Sequence, residues 1–250
     1  MRRSSALGRS GAWALVLLLA LAGAPVLAGD DDPCFAVDAQ GDLYRVRCER
    51  TLVEPMGRVE VQGQKPVLVD LAATPDGYLY GLADDGRLYM IDQEDPRRSV
   101  LVGESGLGSP YGMVAVGERL LVNTRAGEVC WLDRRTGKAT RVGPMGGGWA
   151  ASGDIALLGD KVYASVKDAA RREHLVTLDP ATGAVRLVGA LTDQAGQPVQ
   201  DVFGLVVEKG VLYGLTQGGD LVRVDPQSGR CTVLLRTGKR FYGATDALRI

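Results

Sequence analysis

Apolar and polar positions fall into short segments from residue 33 onward, each bounded by a turn rich in Gly, Asp or Pro. Within a segment the apolar residues alternate with polar ones or run together, a pattern typical of β-strands with one or two buried faces. Segments of this kind follow one another to the end of the chain. We therefore predict an all-β fold made of many short strands.

Five segments repeat the same order of strand, Gly-containing turn and strand. They are residues 33–47, 78–92, 119–133 and 211–225, which match over fifteen positions without a gap, and 161–179, which carries four extra residues. The second strand ends at an Asp, and a turn of the type Asp-Pro-x-Ser/Thr-Gly follows in several repeats. Asp and Pro favour the first positions of such a turn, and Gly accepts the left-handed backbone that it requires. The pattern predicts a hairpin turn and then a fourth strand that often ends in Val-Gly.

One more strand precedes each repeat, so that four strands recur about every 42 residues, as in a β-propeller blade. Asp70, Gly112, Asp154 and Gly204 mark equivalent points on these first strands. The first repeat begins at Cys34 without its own first strand, whereas residues 241–250 form a first strand without a repeat. We predict an all-β, five-bladed β-propeller with four antiparallel strands per blade, in which the C-terminal strand completes the N-terminal blade. The predicted blades are 33–61 with 241–250, 67–105, 110–146, 150–191 and 201–238.

The turns in "LDRRTGKATR" and "LDPATGAVRL" are similar to the Asp-x-x-Thr-Gly turns of WD40-like and quinoprotein-like propeller repeats. The resemblance covers nearly all of the chain after the leader and implies the propeller fold. The repeats lack the Gly-His and Trp-Asp pairs of the WD40 type and the Trp that follows the turn in quinone-docking repeats. The resemblance therefore implies a fold and no particular activity.

Residues 1–28 have the pattern of a signal peptide. Arg2, Arg3 and Arg9 precede the apolar stretch 13–22, and Val26 to Ala28 fit a cleavage site. We expect an exported protein, periplasmic or extracellular, whose single propeller domain comprises residues 29–250. A retained membrane anchor is the alternative.

Net charge limits the classes of partner that the protein is expected to bind. The whole chain has a net charge of −1, and its leader has three Arg and no acid, which leaves −4 for the remainder. This charge argues against nucleic acid and anionic membranes as partners. We expect a monomer that binds an unknown protein or carbohydrate.

Four cysteines are present. Cys34 and Cys48 flank one hairpin, and we expect them to lie opposite each other and form a disulfide, which an exported compartment permits. Cys130 and Cys231 fall in different, non-adjacent blades and are expected to remain thiols.

Catalytic residue types are scarce. His174 is the only histidine, and we place it in a solvated hairpin loop of the fourth blade. Nucleophilic catalysis of the Ser-His-Asp or Cys-His kind needs a histidine that other residues orient. The spacing of His and Cys indicates no metal site, and we predict neither a catalytic residue nor a cofactor.

Three aspartates, Asp70, Asp154 and Asp246, are candidates for ligand binding because first strands line the channel of a propeller. Carboxylates held close together bind a hard cation or acquire shifted pKa values suited to acid–base work. The interpretation that we favour is that each Asp accepts hydrogen bonds from backbone amides and locks neighbouring blades.

Aromatic residues supply the other candidates. Tyr111, Phe203 and Tyr242 each precede a Gly where a first strand begins, so they form either a rim for a sugar or peptide or the packing between blades. Trp149 lies in the Gly-rich loop 143–153 and would be a contact residue if exposed. We expect a binding or interaction module of unknown ligand. The alternative is a glycosidase- or esterase-like hydrolase that uses the channel aspartates.

Overall fold

The computed structural model describes residues 33–246. The predicted signal peptide, residues 1–28, and the last four residues of the predicted closing strand lie outside the described residues. The described chain forms five four-stranded antiparallel sheets, which are the five blades of a β-propeller. Fold class, blade number and strand number per blade are therefore confirmed.

Each blade contributes one strand to each of four layers. The innermost strands are β20 (Phe241–Thr245), β4 (Leu68–Ala73), β8 (Pro110–Val116), β12 (Ala150–Leu158) and β16 (Val202–Glu208). The second strands are β1 (Cys34–Asp38), β5 (Leu79–Ala83), β9 (Arg119–Thr124), β13 (Lys161–Lys167) and β17 (Val211–Thr216). The third strands are β2 (Asp42–Arg47), β6 (Arg87–Ile91), β10 (Glu128–Leu132), β14 (Glu173–Leu178) and β18 (Asp220–Val224). The outermost strands are β3 (Leu52–Arg58), β7 (Val100–Glu104), β11 (Ala139–Pro144), β15 (Val185–Ala190) and β19 (Cys231–Arg236). A 3₁₀ turn at Pro96–Arg98 precedes β7.

The ring closes through the C-terminal strand. β20 pairs antiparallel with β1, with Ala244 opposite Ala36, and so completes the blade that begins at Cys34. The innermost strands contact one another in the order β4, β8, β12, β16, β20 and back to β4. The predicted closure of the N-terminal blade by the C-terminal strand is thus present.

The hydrophobic core is divided among the blade interfaces. Five clusters of buried side chains are found in residues 33–246, and each of them combines residues of two neighbouring blades. At the closing interface Phe241 is fully buried and packs edge-on against Tyr44, with ring centroids 5.8 Å apart. Each blade therefore buries its apolar faces only when both neighbours are in place.

The Asp-x-x-Ser/Thr-Gly turns have the mechanism that the sequence predicts. In the turn between β18 and β19, the Asp225 side chain accepts hydrogen bonds from the Gln227 amide and the Ser228 hydroxyl. The Gly229 amide donates to the Asp225 carbonyl over 2.8 Å, and Gly229 has a φ of 76°. Gly is required here because other residues rarely adopt this backbone conformation.

The Val-Gly ends of the outer strands have a role that the sequence did not reveal. At three successive interfaces such a Gly lies against the turn of the next blade. A Cβ added at Gly103, Gly143 or Gly189 would be 2.2, 2.5 or 2.0 Å from the carbonyl oxygen of Thr136, Thr182 or Ser228, respectively. The two recurring motifs are thus the two halves of one contact between blades.

Residues 33–246 contain no helix with the length and apolar content needed to cross a bilayer.

Candidate functional site

The innermost strands begin at one end of the ring, which we call the upper face. Equivalent positions of these strands meet around the axis, as the close approaches of Gly112 to Asp154 and of Gly243 to Asp70 show. The aromatic–Gly pairs of three blades are among these positions and are brought together at the upper end of the axis. The strands of the ring thus converge on one small area.

Tyr111, Phe203 and Tyr242 form a single cluster there, which we call the aromatic mouth. The ring centroids of Tyr111 and Phe203 are 5.7 Å apart, and those of Phe203 and Tyr242 are 6.0 Å apart. All three side chains are half-buried. In the fourth blade Gly153 holds the position equivalent to Tyr111, so no side chain separates Tyr111 from Phe203.

Two cations flank the aromatic mouth. The guanidinium carbon of Arg125 lies 4.9 Å from the centre of the Tyr111 ring, and Lys167 Nζ lies 6.0 Å from that of Phe203. Lys167 also forms an ion pair with Asp201 at 2.6 Å. Arg125 is exposed and forms no ion pair with a carboxylate within residues 33–246. Arg125 therefore places a positive charge beside an aromatic surface.

The hydroxyl of Tyr111 stays protonated in this setting. Burial raises its pKa to about 12, and the charge of Arg125 acts in the opposite direction. A protonated phenol both donates and accepts hydrogen bonds.

A buried carboxylate, Glu173, anchors the polar side of the mouth. It accepts hydrogen bonds from the Ser152 hydroxyl at 2.7 Å and from the Asp201 and Val202 amides at 2.8 and 3.1 Å. Burial raises its pKa, which these hydrogen bonds partly offset. Glu173 was not predicted from the sequence, because an acid in a charged segment carries no sign that its side chain will be buried.

The sequence had suggested a solvated loop for His174, and this prediction is wrong. It lies in β14, its side chain is 12% exposed, and its Nε2 is 3.1 Å from Asp168. Its ring packs edge-on against Trp149 at a centroid distance of 5.2 Å. Trp149 is half-buried, so it is less available as a contact residue than the Gly-rich loop had suggested.

Asp70 and Asp154 are fully buried and lie together at the axis. Asp70 accepts hydrogen bonds from the amides of Leu71 at 2.8 Å, Ala244 at 3.0 Å and Met113 at 2.5 Å. Asp154 accepts them from the amides of Ile155 at 2.6 Å and Leu205 at 2.7 Å. Burial raises the pKa of both carboxyl groups. This is the blade-locking arrangement that we favoured on sequence.

Asp246 does not belong with this pair. Gly243 is the residue of β20 equivalent to Asp70, so Asp246 lies three residues further along the chain. Its carboxylate accepts a hydrogen bond from the Val207 amide of the neighbouring blade. The sequence had placed Asp246 at the start of an inner strand, whereas it follows the end of one.

The pairing of Cys34 and Cys48 also differs from the sequence-based expectation. Cys34 lies opposite Val46, so Cys48 is two residues beyond the partner of Cys34. Both are buried thiols in the same apolar cluster. The neighbouring Cys34 thiol, together with burial, raises the pKa of Cys48 well above its usual range.

The described residues hold no group of three or more His, Cys, Asp or Glu side chains suited to a metal ion. Both oxygens of Asp70 and both of Asp154 already accept backbone hydrogen bonds. What the upper face offers chemically is instead an aromatic surface with a positive charge beside it.

Comparison with known proteins bears on the fold. No protein-family model matches the chain, and no curated protein matches it. Among solved structures, the glutaminyl cyclase of Myxococcus xanthus is similar, with a TM-score of 0.50 and 21% identity over 73% of this chain and 71% of that one. A protein of unknown function from Bacteroides thetaiotaomicron gives a TM-score of 0.49 and 14% identity over 79% of this chain and 54% of that one. BamB from Moraxella catarrhalis gives a TM-score of 0.44 and 16% identity over 83% of this chain and 71% of that one. At the level of fold, the chain is a five-bladed β-propeller, a likeness that the Myxococcus xanthus structure shares.

Proposed function

We propose that the protein is an exported binding module that holds its ligand at the aromatic mouth. The observation that carries the proposal is the convergence of Tyr111, Phe203 and Tyr242, from three blades, beside the exposed guanidinium of Arg125. Loops and strand ends on a rigid scaffold are common places for recognition. The signal-peptide pattern of residues 1–28 supports export.

The chemistry of the mouth suits a protein or carbohydrate ligand. Aromatic rings offer a large apolar surface with an electron-rich face, and arginine and tyrosine are enriched among residues that dominate binding energies. Arg125 adds hydrogen-bond donors and positive charge, which favours a ligand with a carbonyl or an anionic group.

The hydrolase alternative has less support. A general acid or base must come within hydrogen-bond reach of its substrate. Asp70 and Asp154 are fully buried, and their oxygens accept five backbone N–H groups. A substrate would have to displace those contacts to reach either carboxyl group.

The first experiment is a glycan array and an affinity pull-down with the protein after leader removal. The ligand found is then titrated against Arg125→Ala and Tyr242→Ala. We expect each substitution to weaken binding about tenfold, which corresponds to ~1.4 kcal/mol, because each removes a large contact surface from the proposed site.

Matched controls are Arg119→Ala and Trp131→Ala. In this second arginine–aromatic pair, the guanidinium carbon of Arg119 lies 4.0 Å from the centre of the Trp131 ring. The pair lies away from the mouth, because Arg119 begins β9 at the opposite end of the ring. The controls should bind like the wild type. If the two sets of variants bind equally well, the ligand does not use the aromatic mouth and the proposed site is wrong.

A further inference from the structure

The centre of the ring is a hub to which every blade contributes. The amides that donate to the Asp70–Asp154 pair belong to Ala244 in β20, Leu71 in β4, Met113 in β8, Ile155 in β12 and Leu205 in β16. Each of these residues follows the equivalent axial position of its own strand. The two side chains therefore bind one N–H group from each of the five blades.

Only two side chains fit at this level of the axis. The other three blades have Gly112, Gly204 and Gly243 at the axial position. A Cβ at Gly112 would lie 2.8 Å from the Gly153 carbonyl oxygen, and one at Gly243 would lie 2.4 Å from Asp70 Cα. The alternation of Asp and Gly in the sequence thus reflects the space available to two carboxyl groups.

The two carboxyl groups cannot both carry a charge without repulsion. Both are fully buried and accept backbone N–H groups from the same five strands, so they lie together at the axis. The innermost strands carry no Lys, Arg or His within the described residues that could offset a second negative charge. The other titratable side chains on these strands or directly after them are Tyr111, Tyr242, Glu208 and Asp246. A single shared proton would remove the repulsion between the two carboxyl groups.

We infer that Asp70 and Asp154 form a proton-dependent lock: with one shared proton they hold the five inner strands together, and release of that proton loosens the axis of the ring. The lock also touches the aromatic mouth, because Tyr111, Phe203 and Tyr242 each directly precede one of the axial glycines. Alkaline pH should therefore loosen the packing of these aromatic rings as well as the ring itself.

The sign of the pH dependence follows from the direction of the shifts. Burial raises the pKa of Asp70 well above its usual 3.8 and that of Asp154 to about 8. The folded protein thus keeps a proton that the unfolded chain releases above about pH 4. Stability contributed by the lock is greatest below that pH and falls as the pH rises through the pKa of the folded pair.

The test is urea unfolding of the full mature chain from about pH 5 to about pH 9, with near-ultraviolet circular dichroism as a second signal. We expect the unfolding equilibrium constant of the wild type to rise by up to about tenfold per pH unit as one proton is lost. Asp70→Asn and Asp154→Asn should be less stable at low pH and lack this part of the slope. Glu173 and His174 are present in all three proteins, so they do not contribute to the difference in pH slope between the wild type and the variants.

Asp133→Asn is the matched control, because Asp133 caps an exposed turn through the amides of Arg135 and Thr136. It should keep the wild-type pH slope. Equal slopes in the wild type and in both axial variants would overturn the lock.

A measurement on the wild type alone covers the case in which the axial variants do not fold. Infrared difference spectra with labelled aspartate should show the C=O stretch of a protonated, buried carboxyl group at about pH 6 and its loss at about pH 9. Absence of that band at the lower pH would equally refute the shared proton.

Discussion

At the scale of single residues, the axis leaves little freedom because five backbones converge there. Gly243 approaches the backbone of Asp70, and Gly153 approaches that of Phe203, with a hypothetical Cβ 2.9 Å from Phe203 Cα. Asp70 and Asp154 satisfy the amides that this convergence would otherwise leave buried without partners. An unpaired buried amide costs about 1–3 kcal/mol, so the two carboxyl groups and the small residues around them depend on each other.

Asn is a poor substitute for either aspartate, since each carboxyl oxygen accepts an N–H group and an amide nitrogen cannot. For this reason an Asn at the axis leaves one backbone donor facing another, although the side chain keeps its size.

If the protein is exported, as proposed, the thiols of Cys34 and Cys48 are expected to oxidise to a disulfide. They are buried in the same cluster, and a cross-link of a loop of about 15 residues stabilises a fold by up to ~3 kcal/mol in the chain-entropy model. The thiol titre of denatured, unreduced protein from the exported fraction should be two, contributed by Cys130 and Cys231. A titre of four would show that the pair remains reduced and would contradict the expected disulfide.

Predictions of single-residue roles succeeded where the role depends on local sequence. They failed where the role depends on segments that are distant in the chain. The register of Cys34 with Val46 depends on the length of one hairpin turn, which the sequence placed one residue differently. Asp246 was misassigned because it was compared directly with Asp70. When the strands are aligned by their axial residues, Gly243 takes the position of Asp70 and Asp246 lies three residues further along.

At the scale of elements, one recurring contact joins neighbouring blades at their rims at three of the five interfaces within residues 33–246. The Gly of an outer Val-Gly end meets the Thr-Gly or Ser-Gly turn of the next blade at Gly103, Gly143 and Gly189. The closing interface lacks it within the described residues and uses Glu208 instead, whose carboxylate accepts a hydrogen bond from the Glu49 amide at 2.6 Å. The turn motif therefore serves both the hairpin within a blade and the contact between blades.

Gly143→Ala should test this contact. The added methyl group would lie 2.5 Å from the Thr182 carbonyl oxygen, and relieving such overlap in a packed interface costs about 1–3 kcal/mol. Chemical denaturation should show that loss. Gly108→Ala is the control, because a Cβ added there would have no atom within 4 Å and its backbone needs no left-handed conformation, so its stability should be unchanged or slightly higher. Equal stabilities of the two variants would mean that the rim contact is dispensable.

The sequence predicted the turn chemistry because Asp, Pro and Gly act over a few neighbouring residues. It did not predict the partner of the turn, since Gly143 and Thr182 belong to different blades and only the assembled ring brings them together.

At the scale of the whole molecule, stability depends on a complete ring. Each of the five apolar clusters in residues 33–246 lies between two blades, so a missing element exposes part of a core and not only a strand edge. The repeat period predicted the number of blades and the closure, because both follow from counting strands. The sequence predicted the aromatic residues of the mouth as candidates but not their contact, since they come from separate blades and Tyr111 reaches Phe203 only across the small residue Gly153.

Removal of residues 241–250 should therefore disrupt the molecule. It deletes β20, exposes the edge of β1, takes the fully buried Phe241 from the closing interface and removes the Ala244 amide from the axial pair. Free strand edges recruit other chains, so we expect a lower melting temperature together with oligomers in size-exclusion chromatography. A synthetic peptide with the sequence of residues 241–250, added in trans, should restore part of the melting temperature and the monomer, whereas a scrambled peptide should not. A truncated protein that remains monomeric with an unchanged melting temperature would show that the ring does not need its closing strand.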